Sequence, residues 1–213
     1  MTTPSEDHGR PDDPAAPLPG AADDGDRDVQ DLAVDAYWAT ARKRAGLTRL
    51  GGVVGEDALG SVEPPAWSFG TTPEEADALL ALVLAGTKTA TVSAVATFET
   101  EGVAAPRPGD LSIILDGRGR PRALITTTAV ETRAFRDVDA AHAAAEGEGD
   151  RSLDHWRRVH EEFLTAELAA VDQEFTPDAL VLLERFQLLD PRQPRPSTGS
   201  AVTGSSPSAD SAD

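Results

Sequence analysis

With 213 residues, 39% of them hydrophobic, the chain has material for one well-filled core but not comfortably for two. Its net charge of −18 repels phosphate chains at long range, which excludes bulk electrostatic capture of nucleic acid. Cysteine is absent, which excludes disulfides and thiolate metal sites.

Apolar residues are unevenly spread. Between the initiator and Asp28 the only large apolar side chain is Leu18, and from Pro191 to Asp213 it is Val202. Neither segment buries enough surface to offset the entropy of ordering it, so residues 1–28 are expected to form a disordered acidic tail and 191–213 a disordered Ser/Pro-rich tail. The folded domain is expected over 29–190. The N-terminus is acidic where a signal peptide is basic, and no run approaches the roughly 18 apolar residues that span a bilayer. A cytoplasmic address without a membrane partner follows by elimination. The first thirty residues hold eight acids and two arginines, and the tail from Pro191 is neutral, which leaves −12 on the domain.

Residues Val29 to Ala45 read as a helix whose apolar face is Leu32, Ala33, Ala36, Tyr37 and Ala41. A Gly-rich stretch from Gly46 to Pro65 leads to Trp67-Ser68-Phe69-Gly70. Thr72, Pro73 and Glu75 then form a capping box with proline in the first turn, predicting a helix over Ala76 to Ala85 that Gly86 ends in the left-handed conformation. Thr87 to Val95 alternates and is rich in β-branched residues, so it reads as a strand. Pro106 to Asp110 is a turn, Leu111 to Leu115 a strand, Asp116-Gly117-Arg118-Gly119 a hairpin turn, and Ala123 to Val130 the returning strand. Asp150 or Ser152 caps a helix running to about Ala169, with Leu153, Trp156, Phe163, Leu164 and Leu168 as its stripe. Leu180 to Leu189 is a closing strand. Strands outnumber helices in this reading and are joined mostly by turns, giving an α+β fold with a small, barrel-like antiparallel sheet and helices at its periphery.

Only two lysines stand against seventeen arginines, so a lysine inside a structured segment attracts interest. Lys43, among arginines on a helix, reads as surface. Lys88 follows a helix C-terminus and opens a strand, where it either donates to helix carbonyls or serves as a point charge or base beside Thr91. Positions three apart in a strand face opposite ways, so Lys88 and Thr91 meet only across a bend or bulge. Glu146-Gly147-Glu148-Gly149-Asp150 places three carboxylates in a loop before a helix, where they either favour the helix dipole or supply an acid or base in a cleft. Their spacing matches no calcium-loop pattern, so neither a metal nor another cofactor is expected. His160 lies on the apolar stripe of the last helix, with Arg157 and Glu161 as candidate partners. Trp67 and Trp156 read as core or as stacking surfaces. The clusters Arg42-Lys43-Arg44 with Arg49, Arg118/Arg120/Arg122 and Arg157-Arg158 read as solvated surface or as phosphate contacts.

The order of these elements carries more than any one of them. Trp67-x-Phe69-Gly70, Gly86-Thr87-Lys88-Thr89-Ala90-Thr91, Pro108-Gly109-Asp110, Glu146-Gly147-Glu148-Gly149-Asp150-x-Ser152-Leu153-x-x-Trp156-Arg157-x-x-His160 and Glu184-Arg185-Phe186 follow one another as they do in the bacterial ASCH-domain family, which the chain resembles from Tyr37 to Leu189. The resemblance implies a PUA-like fold, a small antiparallel β-barrel with flanking helices. It also implies RNA-related work: binding of RNA, ribonuclease activity, or hydrolysis of the amide of N(4)-acetylcytidine. In the amidohydrolases the lysine and threonine of the Gly-x-Lys-x-x-Thr element act with a later glutamate. Carried over, these are Lys88, Thr91 and Glu148, with Glu146 the alternative for the last. Trp67, Glu146, Trp156, Arg157 and His160 are then the candidates for substrate binding. The extra N-terminal helix, the long Gly-rich entry and the extended last helix depart from the small members.

Two functions compete. The first is hydrolysis of an acylated pyrimidine nucleoside, with Thr91 attacking or positioning water, Lys88 as base or oxyanion partner, and Glu148 passing a proton to the leaving amine. The second is RNA binding or cleavage through Lys88, the arginine clusters and stacked tryptophans. The acidic charge favours the small uncharged nucleoside as the partner.

Overall fold

A computed structural model describes residues 24–47 and 62–191. The expected tails lie outside these residues except for Asp24–Asp28 and Pro191, as does most of the Gly-rich stretch. The first helix, α1 (Asp24–Ala45), begins five residues before the expected domain boundary. After β1 (Ala66–Trp67) come α2 (Pro73–Leu84), β2 (Ala90–Ala94), α3 (Val95–Glu101), β3 (Leu111–Leu115), β4 (Pro121–Ala134), a 3-10 turn at Phe135–Asp137, α4 (Ala140–Glu146), α5 (Leu153–Ala169) and β5 (Leu180–Asp190).

The strands form one sheet in the order β1-β3-β4-β5-β2. β1 pairs with β3 in parallel, and the other neighbours are antiparallel. Because β1 and β2 are both edges, the sheet is open, and this corrects the expected barrel. Strands do not outnumber helices among the described residues either: there are five of each. The fold is thus a mixed α/β arrangement in which helices cover both faces of a five-stranded sheet.

Side-chain parity explains the layers. On β3, Ile113 and Leu115 pack under Val34, Trp38 and Ala41 of α1, while Ile114 points to the other face and packs with Leu80 and Val83 of α2. The run Leu111–Leu115, apolar but for Ser112, therefore reflects burial on both sides. The buried face of α1 is centred on Val34, Trp38 and Ala41 rather than on Leu32, which is exposed. Tyr37 lies at its margin and donates its hydroxyl to Asp190 Oδ2 at 3.2 Å. A third cluster joins Val92 of β2, Val181 and Leu183 of β5, and Trp156, Leu164 and Leu168 of α5.

The capping box of α2 forms as expected: Glu75 N–H donates to Thr72 Oγ1, and Glu75 Oε2 accepts from Thr72 N–H. Gly86 follows with φ +71°. Two short helices differ from expectation. The strand read over Thr87–Val95 is confined to Ala90–Ala94 because α3 begins at Val95. Glu167 of α5 caps α3, accepting from Ala94 N–H and from Thr97 Oγ1, each at 3.2 Å. That cap comes from more than seventy residues away. Glu146 does not lie in a loop but ends α4, whose N-cap Asp139 accepts from His142 N–H at 2.8 Å.

Candidate functional site

Two parallel contacts fasten the segment opening β2 to the end of α4. Thr89 N–H donates to the Ala145 carbonyl at 2.8 Å, and Thr89 Oγ1 donates to the same oxygen at 3.2 Å. Just beyond, Gly147 turns the chain with φ +74°, and a β-carbon there would lie 2.5 Å from the Thr87 carbonyl oxygen. Only glycine fits both the conformation and the contact. This approach brings Lys88 against both flanking carboxylates.

Lys88 is 2% exposed, and its Nζ donates to Glu146 Oε2 at 2.9 Å and to Glu148 Oε1 at 2.5 Å. The ammonium also stands 5.3 Å from the centre of the Phe69 ring. Glu146, 1% exposed, is saturated on its other oxygen, where Oε1 accepts from Trp156 Nε1 at 2.8 Å and from His142 Nε2 at 3.1 Å. His160 faces Glu146 Oε2 through Nε2 at 3.5 Å, while its Nδ1 is 2.9 Å from the Trp156 carbonyl. A carbonyl only accepts, so Nδ1 carries a proton, and Nε2 carries one as well only in the imidazolium.

Burial works against charge on Lys88, but Glu146 and Glu148 outweigh it and raise the ammonium's pKa. Burial likewise works against charge on Glu146, and Lys88 with the two histidines holds its pKa well below the usual carboxylate range. The cluster is therefore an ion pair carrying fixed charges. The ligand atoms of Glu146, Glu148 and His160 lie within 4.8 Å of one another, in an arrangement that would suit a metal. Two of these three groups, Glu146 and Glu148, hold the Lys88 ammonium.

Thr91 lies elsewhere. On β2, Ala90, Val92 and Ala94 are buried, whereas Thr91 and Ser93 line a cleft of about 760 Å³. The β2–β5 register runs without a shift from Ala90 to Ala94 and pairs Thr91 with Glu184. Lys88 and Glu148 meet each other at 2.5 Å, and Thr91 looks into the cleft, whose lining includes Phe69 but neither Lys88 nor Glu148. The cleft walls are Trp67, Phe69, Phe98 and Phe163, with hydroxyls from Thr91, Ser93 and Ser112 and carboxylates from Glu63, Asp110 and Glu184. No lysine or arginine lines it among the described residues.

The other candidates separate accordingly. Trp67 lines the cleft. Trp156 is buried, stacked on His160 with ring centroids 4.4 Å apart, and holds Glu146 rather than offering a stacking face. His160 is a core residue, as its place on the stripe indicates, with Glu146 and the Trp156 carbonyl as partners instead of Arg157 and Glu161. Arg157 Nη2 donates to the Arg136 carbonyl at 3.1 Å, away from the cleft. Arg120 and Arg122 pair with Asp116 in the β3–β4 hairpin.

Sequence reasoning passed over His142, and it named Asp110 and Glu184 as motif residues without giving them a role. For Glu184 a signal existed, since it is the one acid inside the apolar run Leu180–Leu189. It is 8% exposed, and its Oε1 accepts from Thr127 Oγ1 at 2.6 Å. Burial, and after it the nearby Asp110, raises its pKa.

A family model described as the ASCH domain matches residues 65–190. Among solved structures, the chain is similar to an ASCH domain from Lactobacillus crispatus, with 27% identity over 69% of this chain and 94% of that one and a TM-score of 0.59. It is also similar to a protein from Enterococcus faecalis, with 31% identity over 75% of this chain and 91% of that one and a TM-score of 0.61. No curated protein matches.

Proposed function

The chain belongs to the ASCH-domain family, and on that premise we propose that it hydrolyses the amide of an N(4)-acylated cytidine or a nucleoside of the same class. The observation that carries this reading is the lining of the cleft. Its volume of about 760 Å³ falls in the range of about 300–1,000 Å³ usual for small-molecule sites. Aromatic walls suit a flat base, and carboxylates accept hydrogen bonds from the amino edge of cytosine. A polynucleotide would bring phosphates into a cleft whose described lining offers them carboxylates and no cation.

In this reading the Thr91 hydroxyl attacks the acyl carbonyl. Lys88 is not the base, because its two carboxylate partners favour the charged form. It acts as a positioning charge that ties the segment opening β2 to the loop after α4, and Glu148 completes that tie. The ammonium thereby sets the place of Thr91 without touching the substrate.

The test is incubation of the purified full-length protein with a panel of N(4)-acylated cytidines and a short single-stranded RNA, followed by mass spectrometry. The expected result is release of cytidine and the free acid, insensitive to salt, with the RNA intact. Cleaved RNA, or RNA binding that weakens steeply with salt in the absence of hydrolysis, would replace this reading with the RNA-directed one.

A further inference from the structure

We infer that Glu184, not Glu148, is the acid–base residue that serves Thr91 in the cleft. The inference rests on the amide-hydrolysis reading and adds a residue to it. Hydrolysis through Thr91 requires a group that takes the hydroxyl proton and returns it to the leaving nitrogen. That group must reach both the hydroxyl and the substrate.

Glu148 lies 2.5 Å from the Lys88 ammonium and is not part of the cleft lining. Glu184 meets the requirement by topology. Thr91 and Glu184 are register partners across β2 and β5, and both line the cleft. Side chains directly opposite on one face of an antiparallel pair have β-carbons about 4.5–5.5 Å apart, enough for a carboxylate and a hydroxyl to share a substrate atom between them. The register irregularity between Thr127 and Ala129 on β4 sits beside this pair, where the Thr127 hydroxyl grips Glu184 Oε1. A bulge at such a place re-aims a side chain. Glu184 Oε2 has no hydrogen-bond partner among the described residues, so it is the oxygen left for the ligand.

Among the described residues no cation lines the cleft beside Glu184. The titratable groups lining the cleft with it are Glu63 and Asp110, both acids, and Arg185 next to it on β5 donates to the Ala141 carbonyl instead. A buried carboxylate with no cation opposes folding, and such a group is retained where function needs it.

The chemistry balances as follows. Thr91 Oγ forms a bond to the acyl carbon while its proton passes to Glu184. The carbon–nitrogen bond then breaks as Glu184 delivers that proton to the nucleoside nitrogen, leaving an acyl ester on Thr91. Water attacks the ester, its proton goes to Glu184 and from there to Thr91 Oγ, and the carboxylic acid departs.

Glu184→Gln preserves the shape and the acceptor for Thr127 while removing the titrating group. The expected result with N(4)-acetylcytidine is a loss of about 10²–10⁴-fold in kcat, little change in KM, disappearance of the acid limb of the pH–rate profile, and a melting temperature equal to or above the parent's. Parent turnover with a folded Glu184→Gln variant within threefold of it would overturn this inference alone. A parent inactive on every acylated nucleoside would overturn the amide-hydrolysis reading and this inference with it. Should Glu184→Gln fail to fold, Thr127→Val addresses the same carboxylate by removing the hydrogen bond that favours its charged form. The acid limb should then move to higher pH by about half a unit or more, and an unmoved limb would assign the proton transfer to another group.

Discussion

Replacing Lys88 by methionine tests the buried ion pair most directly. The side chain keeps its length and apolar stem but loses the ammonium, and Glu146, 1% exposed, is left without its cation. Removing one partner of a buried pair costs about 3–5 kcal/mol. Glu146 retains hydrogen bonds from Trp156 and His142, and Glu148, about one-fifth exposed, regains water, so the lower part of that range applies, about 3–4 kcal/mol. For a domain of this size each kcal/mol is worth about 2–4 °C, which gives a fall of about 6–16 °C in the thermal midpoint by differential scanning calorimetry at pH 7.5. The deficit should narrow as the pH is lowered toward 5, because a Glu146 deprived of Lys88 takes up a proton more readily and sheds its uncompensated charge. Glu146→Gln in the same background should recover part of the loss, as coupled partners do in a double-mutant cycle. A Lys88→Met midpoint within about 2 °C of the parent would refute the view that this cluster is a tightly paired core element.

Other outcomes follow from the same geometry. Gly147→Ala forces a β-carbon against the Thr87 carbonyl at a positive φ and should cost about 1–3 kcal/mol in urea titration. Trp38→Ala should cost about 3–5 kcal/mol, since this side chain anchors α1 on Ile113, Leu115 and Leu124; a chain beginning at Asp24 should melt with the full-length protein. Stability should fall in acid: Glu146 and Asp116 have folded pKa values below the usual carboxylate range, with Asp116 at about 2, where hydrogen bonds from Arg120 and the hairpin amides outweigh the opposing effect of burial. Their contribution is present above the unfolded value of about 4 and is lost as the pH drops through the folded values, a trend that calorimetry between pH 7 and 2 will show. Lys88 carries the opposite sign, its contribution holding up to about pH 10 and fading as the pH rises through its raised folded value.

Much of this fold was legible because local signals matched it. The capping box at Thr72 and Glu75, the run Leu111–Leu115 and the Asp116–Gly119 hairpin are short-range arrangements, and each forms where its residues place it. The elements that escaped depend on distant partners. α3 has no cap of its own sequence and borrows Glu167. The buried face of α1 is chosen by Ile113 and Leu115, not by the placement of its own Leu32. The open sheet follows from β1 being only two residues long and pairing with β3 rather than with β2. For α4 the sequence did contain a signal, Asp139 before an alanine-rich segment.

The site divides along the same line. Lys88 stood out as one of two lysines and Glu146 and Glu148 through their glycine-flanked spacing, and the structure joins them because Thr87 and Gly147 touch backbone to side-chain-free backbone. Thr91, three residues beyond Lys88 and inside β2, lines the cleft and pairs with Glu184. A threonine there sees what the neighbouring strand presents at the same level, and on β5 that residue is Glu184. Its importance is invisible along β2 and emerges only from the antiparallel pairing, which sets residues 93 positions apart side by side. The motif therefore marks two places rather than one: a charged lock that fixes how β2 enters the sheet, and a cleft wall where a hydroxyl and a carboxylate face each other. A substitution in the lock should act on activity together with stability, whereas one at Glu184 should separate them, because Glu146 and Glu148 hold the Lys88 ammonium while no cation lines the cleft beside Glu184 among the described residues.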